Sequence, residues 1–189
     1  MTSAARRVFT GMRPAELIGL NWSDIVGNVL TVRAGAAYVK GQGTIRTDRP
    51  KTQKSVRMID LPPTVMKLLE KHRREQAEYR LGFGAEWPEP EAVFTGATGH
   101  RLNISSPTQK FQKIVKAYNL RPITLYGLRH TAATIMIAQG LNAREVAARL
   151  GHAQTSTTLN IYAHAFMDAN TRATEAISSA LDAARKEAK

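Results

Sequence analysis

The stretch "ITLYGLRHTAAT", residues 123–134, sets an arginine and a histidine side by side in a run otherwise patterned like the opening of a buried helix, with Tyr126 three residues before Arg129. A guanidinium is a permanently charged, planar fork suited to an oxyanion, and an imidazole can take or give a proton near neutral pH. Four more side chains of reactive type stand elsewhere: Arg13, Lys51, His152 and Tyr162. Singly, each has an ordinary reading. Arg13 fits a surface residue, Lys51 one of many solvated lysines, His152 a cap after a helix, and Tyr162 half-buried core. His130, one helical residue beyond Arg129, points about 100° away from it and reads as a structural hydrogen-bonding partner. His164 likewise faces away from Tyr162, and the five histidines show no zinc-ligand spacing.

The elements around these residues can be read from local chemistry. In "GMRPAELIGLNW", Pro14 suits the first position of a helix and Glu16 favours its N-terminal dipole, which leaves Arg13 at the helix mouth. "DIVGNVLTVR" alternates about Gly27-Asn28, a hairpin signal, and "SVRMIDLP" from Ser55 is a second alternating run. The two predict a small antiparallel sheet. The intervening "AGAAYVKGQGTIRTDRPKTQK" reads as a Gly-rich basic loop that, with Arg57, carries Lys40, Arg46, Arg49, Lys51 and Lys54 against Asp48. A helix is expected from Pro63 to about Tyr79, then a surface connection, then a short strand and turn in "AVFTGATGHRLN". Ser106-Pro107 opens another helix, with Phe111, Ile114, Val115 and Tyr118 at i, i+3, i+4, i+7. The next begins near Leu125 and stops at Gly140.

"LNAREVAARLGH" is the strongest local signature. Asn142 is the N-cap, Glu145 its capping-box partner, Leu141 and Val146 a hydrophobic staple, and Gly151 the C-terminal stop that presents His152. "TSTTLNIYAHAFMD" restarts a helix at Thr155 or Ser156, and an Ala-rich, weakly apolar helical tail runs to Lys189.

Composition narrows the partner class. Lysine and arginine number 27 against 15 acidic residues, a net charge of +12 in a chain that is 43% hydrophobic. A folded, basic domain of this kind points to a polyanion, and without a long apolar segment or a basic amphipathic helix, nucleic acid fits better than a membrane. The chain has no cysteine, which excludes disulfides, thiol nucleophiles and Cys-type zinc sites. No signal-peptide pattern stands at the N-terminus, so a cytoplasmic, nucleoid-associated location is expected.

Taken in order, "GMRPAEL", "PKTQKSVRMIDLP", "GLRHTAAT", "LGH" and "TTLNIYAH" resemble the tyrosine recombinase (phage integrase) family over about residues 4–170. The resemblance implies a mainly α-helical α+β catalytic domain with a small antiparallel sheet. It implies site-specific recombination of phage or mobile-element DNA by strand cleavage and rejoining, without cofactor or metal. Tyr162 would attack the scissile phosphate and hold the strand as a 3′-phosphotyrosyl link. Arg13 and Arg129 would bind the non-bridging oxygens, with Glu16 orienting Arg13. Lys51 matches the general acid for the departing 5′-oxygen, with Lys54 as its rival. His152 matches the family's phosphate-bonding histidine or tryptophan. Tyr126 departs from the family's H-x-x-R motif, standing where a histidine is usual, which leaves the destination of the nucleophile's proton open.

The resemblance further implies residues 1–170 as the catalytic domain, with the family's N-terminal DNA-binding domain absent and activity correspondingly weak, and residues 171–189 as a helical tail able to dock on a neighbouring protomer. Double-stranded DNA, a homotetramer on that DNA and accessory DNA-bending proteins are the implied partners. Two other readings remain open at this point: a truncated, non-catalytic DNA-binding remnant that modulates a full-length recombinase, and a topoisomerase-like relaxer with the same chemistry.

Overall fold

The computed structural model describes residues 10–48, 56–84, 86–152 and 154–187, so Lys51 and Lys54 lie outside the described residues. Arg13, in extended conformation, precedes helix α1 (Pro14–Ile18), and the Glu16 carboxylate reaches back to the Arg13 N–H at 2.8 Å. A 3₁₀ turn (Trp22–Asp24) leads into β1 (Ile25–Val26) and β2 (Val29–Val32), joined at Gly27, whose φ is +57°. β5 (Arg57–Asp60) pairs antiparallel with β2, from Val29 opposite Asp60 to Val32 opposite Arg57, completing a three-stranded sheet of order β1-β2-β5. Strand alternation turns Ile59 into the core and leaves Met58 70% exposed. The same period puts Arg57 on the buried face, a position normally held by an apolar side chain.

The stretch expected to be a basic loop contains a second sheet. β3 (Gly35–Val39) and β4 (Gly43–Thr47) form an antiparallel hairpin whose turn holds Gly41 at φ +84°. Tertiary contacts stabilise these strands where alternation is weak. Gly19 approaches Gly35 so closely that a Cβ on Gly19 would lie 2.4 Å from the Gly35 carbonyl carbon. Arg46, midway along β4, donates to the Gly19 carbonyl and to Asp24, each at 2.7 Å. Asp24 is buried and also paired with Arg33, so the strand is bound to the domain through an ionic cluster.

Helix α2 (Pro63–Phe83) runs four residues beyond the expected Tyr79 and ends at Gly84, φ +88°. Where a short strand was expected after Ala92, the described residues make two isolated bridges, Asn21 with Ala92 and Thr95 with Arg101. α3 (Ser106–Ala117), α4 (Leu125–Ala138), α5 (Ala143–Leu150) and α6 (Thr155–Glu187) complete the chain. Thr124 caps α4 by accepting from Gly127 N at 2.9 Å. Asn142 and Glu145 form the full capping box of α5, each satisfying N–H groups the other leaves open. The staple is present as well, with Val146 buried and Leu141 packed on its cluster.

One core lies between α1, α2 and the three-stranded sheet, around Ile18, Leu30, Ile59, Val65 and Phe94. Another lies between α4, α5 and α6, around Ala133, Ile137, Val146, Leu150 and Tyr162. The fold is thus mainly helical α+β, with two small antiparallel sheets where the sequence suggested one. No helix among the described residues is long and apolar enough to cross a membrane.

Candidate active site

The site forms around the C-terminus of α5. The last carbonyls of a helix have no partner within it, and their partial negative charge attracts cations. Here three successive carbonyls accept from three arginines on three different elements. Arg57 of β5 donates to Arg149 O at 3.0 Å, Arg129 of α4 to Leu150 O at 2.6 Å, and Arg13 before α1 to Gly151 O at 3.1 Å. Gly151 turns the chain out of the helix with φ +69°, and a Cβ there would lie 2.5 Å from the Arg57 guanidinium. Glycine meets both the left-handed backbone and the crowding.

Glu16 ties the cluster together. Its carboxylate accepts from Arg13 Nη1 at 2.8 Å and from the Arg57 guanidinium at 2.8 and 3.2 Å. Burial alone would raise its pKa, but the hydrogen bonds and charge of Arg57, with those of Arg13, prevail and hold it below the usual carboxylate value. Arg129 is 2% exposed and also donates to Gly11 O. Burial, then repulsion from Arg13, lowers its pKa to about 10, so it remains charged near neutral pH. Arg13 keeps 43% of its side chain exposed and is the open member of the set.

His152 follows Gly151 directly, and its Nδ1 lies 2.7 Å from the Thr158 hydroxyl on α6. Burial and the charges of Arg129, Arg13 and Arg57 lower its pKa to about 4, so the imidazole is neutral near pH 7. When the Thr158 hydroxyl donates to Nδ1, the ring proton sits on Nε2 and is available as a donor. Thr158 and Tyr162 are four residues apart on α6, which places the anchor of His152 and the phenol one turn from each other. At Tyr162 the helix is interrupted by a non-helical φ of −118° and ψ of 21°. Its ring enters the α4–α5–α6 core and is 6% exposed, and burial raises its pKa.

His130, read from the sequence as a hydrogen-bonding partner pointing away from Arg129, has its partner within the site. His130 Nδ1 lies 2.8 Å from the Tyr162 hydroxyl. Tyr126, one turn earlier on α4 and 54% exposed, sets its ring against the same imidazole at 4.8 Å, with the planes at 74°. The angular step of about 100° from Arg129 is real; it directs Arg129 at the α5 carbonyls and His130 at α6. The structure therefore brings Arg13, Glu16, Arg129, His152, Tyr162 and Tyr126 into one neighbourhood, and adds Arg57, His130 and Thr158. The side chain of His164 lies outside the described ones. Arg57 could have been found from its place on the inward phase of the β5 alternation. Thr158 offered no comparable signal. Among the described residues, no three His, Asp or Glu side chains converge as a metal ion would require.

The chain as a whole is similar to known proteins. The chain is 31% identical over 180 residues to a protein named tyrosine recombinase XerC-like from Caldanaerobacter subterraneus subsp. tengcongensis, covering 89% of this chain and 46% of that protein. It is also 31% identical to the ICEBs1 integrase of Bacillus subtilis, covering 83% of this chain and 42% of the relative. The chain thus spans less than half the length of these two relatives. Among solved structures, the Tn1549 transposon integrase in complex with transposon right end DNA superposes with a TM-score of 0.76 at 25% identity, covering 93% of this chain and 58% of that one. XerA recombinase shares the fold, with a TM-score of 0.63. The model of the Phage integrase family matches residues 7–169, and the chain belongs to that family.

Proposed function

We propose that this chain cleaves and rejoins double-stranded DNA in site-specific recombination, with Tyr162 as the nucleophile. The observation that carries the reading is the convergence of Arg13, Arg129 and a neutral His152 at the α5 C-terminus, in the same electrostatic neighbourhood as the Tyr162 phenol. A phosphate passing through a pentacoordinate state gains charge on its non-bridging oxygens, and preorganised guanidinium groups stabilise that charge. Arg13, the exposed member, meets the phosphate first. Arg129 spends two of its five N–H donors on Gly11 and Leu150 and adds its charge to the cluster. His152 Nε2–H supplies a further donor. Glu16 and Arg57 hold Arg13 in position, and Lys51 is the proposed acid for the departing 5′-oxygen.

The integrase and recombinase names of the relatives, and the Tn1549 integrase complex with DNA, support recombination of DNA as the activity. Residues up to about 170 then act as the catalytic domain. The exposed end of α6, which includes Ile177 at 63% exposure, is the proposed contact with a neighbouring copy in a tetramer on DNA. Accessory DNA-bending proteins belong to the same proposal.

The test uses a pool of nicked duplexes with a randomised core. Wild-type protein should form an SDS-resistant covalent adduct with a fraction of the pool, and Tyr162→Phe should form none. Salt-sensitive binding without an adduct from either protein would replace this reading with that of a non-catalytic DNA-binding remnant.

A further inference from the structure

Strand cleavage by Tyr162, the reading on which this inference rests, requires somewhere for the phenolic proton to go. Burial holds that proton on the oxygen near neutral pH. The acceptor must stand within hydrogen-bond reach and be more basic than the phenol's surroundings otherwise allow. Tyr126 does not meet that need, since one phenol is no better a base than another. His152 has its Nδ1 engaged with Thr158 at 2.7 Å and is held neutral among three guanidinium groups, which oppose the arrival of another positive charge.

His130 differs from both. Its Nδ1 is 2.8 Å from the Tyr162 hydroxyl, and it is partly buried between the Tyr126 ring edge and the Tyr162 ring, with centroids at 4.8 and 5.5 Å. Tyr126 and His130 are four residues apart on α4, so the aromatic edge supports the imidazole from the preceding turn.

We propose that His130 is a catalytic residue whose Nδ1 accepts the Tyr162 proton as the phenolic oxygen bonds to phosphorus. The O–H electron pair becomes the new O–P bond, the P–O5′ bond breaks, and the departing 5′-oxygen takes its proton from the general acid. His130 is left as imidazolium. On rejoining, a 5′-hydroxyl attacks phosphorus and returns its proton to the acid, while the imidazolium gives its own back to the leaving phenolate, so no proton is consumed in the cycle. Tyr126 is a positioning residue in this scheme, acting through the His130 ring.

The test compares wild type, His130→Ala and His130→Asn on the randomised-core nicked duplexes. Asparagine places an amide oxygen near the Nδ1 position, which preserves an acceptor for the phenol but cannot hold its proton. Both variants should bind the pool as wild type does and form adduct at least about 100-fold more slowly, the scale of general-base catalysis. If His130→Ala fails to fold, His130→Asn carries the comparison. Replacing Tyr162 by 3,5-difluorotyrosine, a more acidic phenol, should narrow the gap between variants and wild type to within about tenfold, which loss of mere orientation would not permit.

A wild-type rate in His130→Asn, or a gap unchanged by the fluorinated phenol, overturns the proposal. Absence of adduct from wild type overturns the strand-cleavage reading itself, and the role of His130 falls with it.

Discussion

Arg129 combines full charge with almost complete burial, and this is tolerable because its guanidinium satisfies carbonyls of Gly11 and Leu150 that would otherwise be orphaned. The proposed phosphate clamp is thus also a structural fastener between the chain before α1, α4 and the end of α5. Arg129→Lys keeps the charge but cannot span both carbonyls with one ammonium. It should cost about 2 kcal/mol and lower the thermal midpoint by about 4–8 °C, measured by calorimetry. His152 yields a second prediction at this scale. Its unfolded pKa is near 6.5 and its folded pKa about 4, so between those values the unfolded chain binds more protons. Stability should fall as pH drops through that window, and His152→Gln should flatten this limb in denaturant titrations. The depressed Glu16 carboxyl adds a separate loss at lower pH, as it protonates on passing through its folded value. The pairing of Arg13 with Glu16 was legible from i, i+3 spacing. The pairing of Glu16 with Arg57 spans 41 residues and had no local signature.

At the scale of elements, legibility followed how local the stabilising contacts are. α5 was readable to its ends because the capping box, staple and stop glycine act within ten residues of one another. β3 and β4 were not, since small residues and glycines give weak alternation and the hairpin is held by Arg46 reaching Asp24 and Gly19. Gly19→Ala tests that dependence. The added methyl would meet the Gly35 backbone at 2.4 Å, and backbone cannot yield cheaply. Hydrogen-exchange protection across residues 35–47 should drop while α4 and α5 retain theirs. Equal loss in both regions would show that the hairpin is no separate unit. The kink at Tyr162 was equally hidden, because nothing in "TTLNIYAH" interrupts helical propensity.

For the whole molecule, a net charge of +12 over 189 residues supplies an attraction that does not depend on the order of bases. If the proposed DNA complex neutralises about six phosphates, the logarithm of affinity should fall with the logarithm of salt concentration with a slope of about −5. Fluorescence anisotropy with a labelled duplex reads this directly, and a slope near zero would remove the electrostatic basis of the partner assignment. Arg13→Gln should make the slope shallower by about one, because it deletes an exposed cation at the site. Glu16, Arg57 and Arg13 link β5 and the chain before α1, on the sheet side, to the end of α5 on the helical side.

The amino-acid sequence by itself determined the helical segments with strong caps, the hairpin at Gly27-Asn28, the basic charge and the order of motifs that marks the phage integrase family. All of these are set by neighbours within a few residues or by composition. Only the tertiary structure decided that three arginines share one helix end, that β3 and β4 form a sheet, and that His130 rather than Tyr126 touches the Tyr162 hydroxyl. Those outcomes depend on distances between segments up to 138 residues apart, which tertiary packing sets and which no local spacing records.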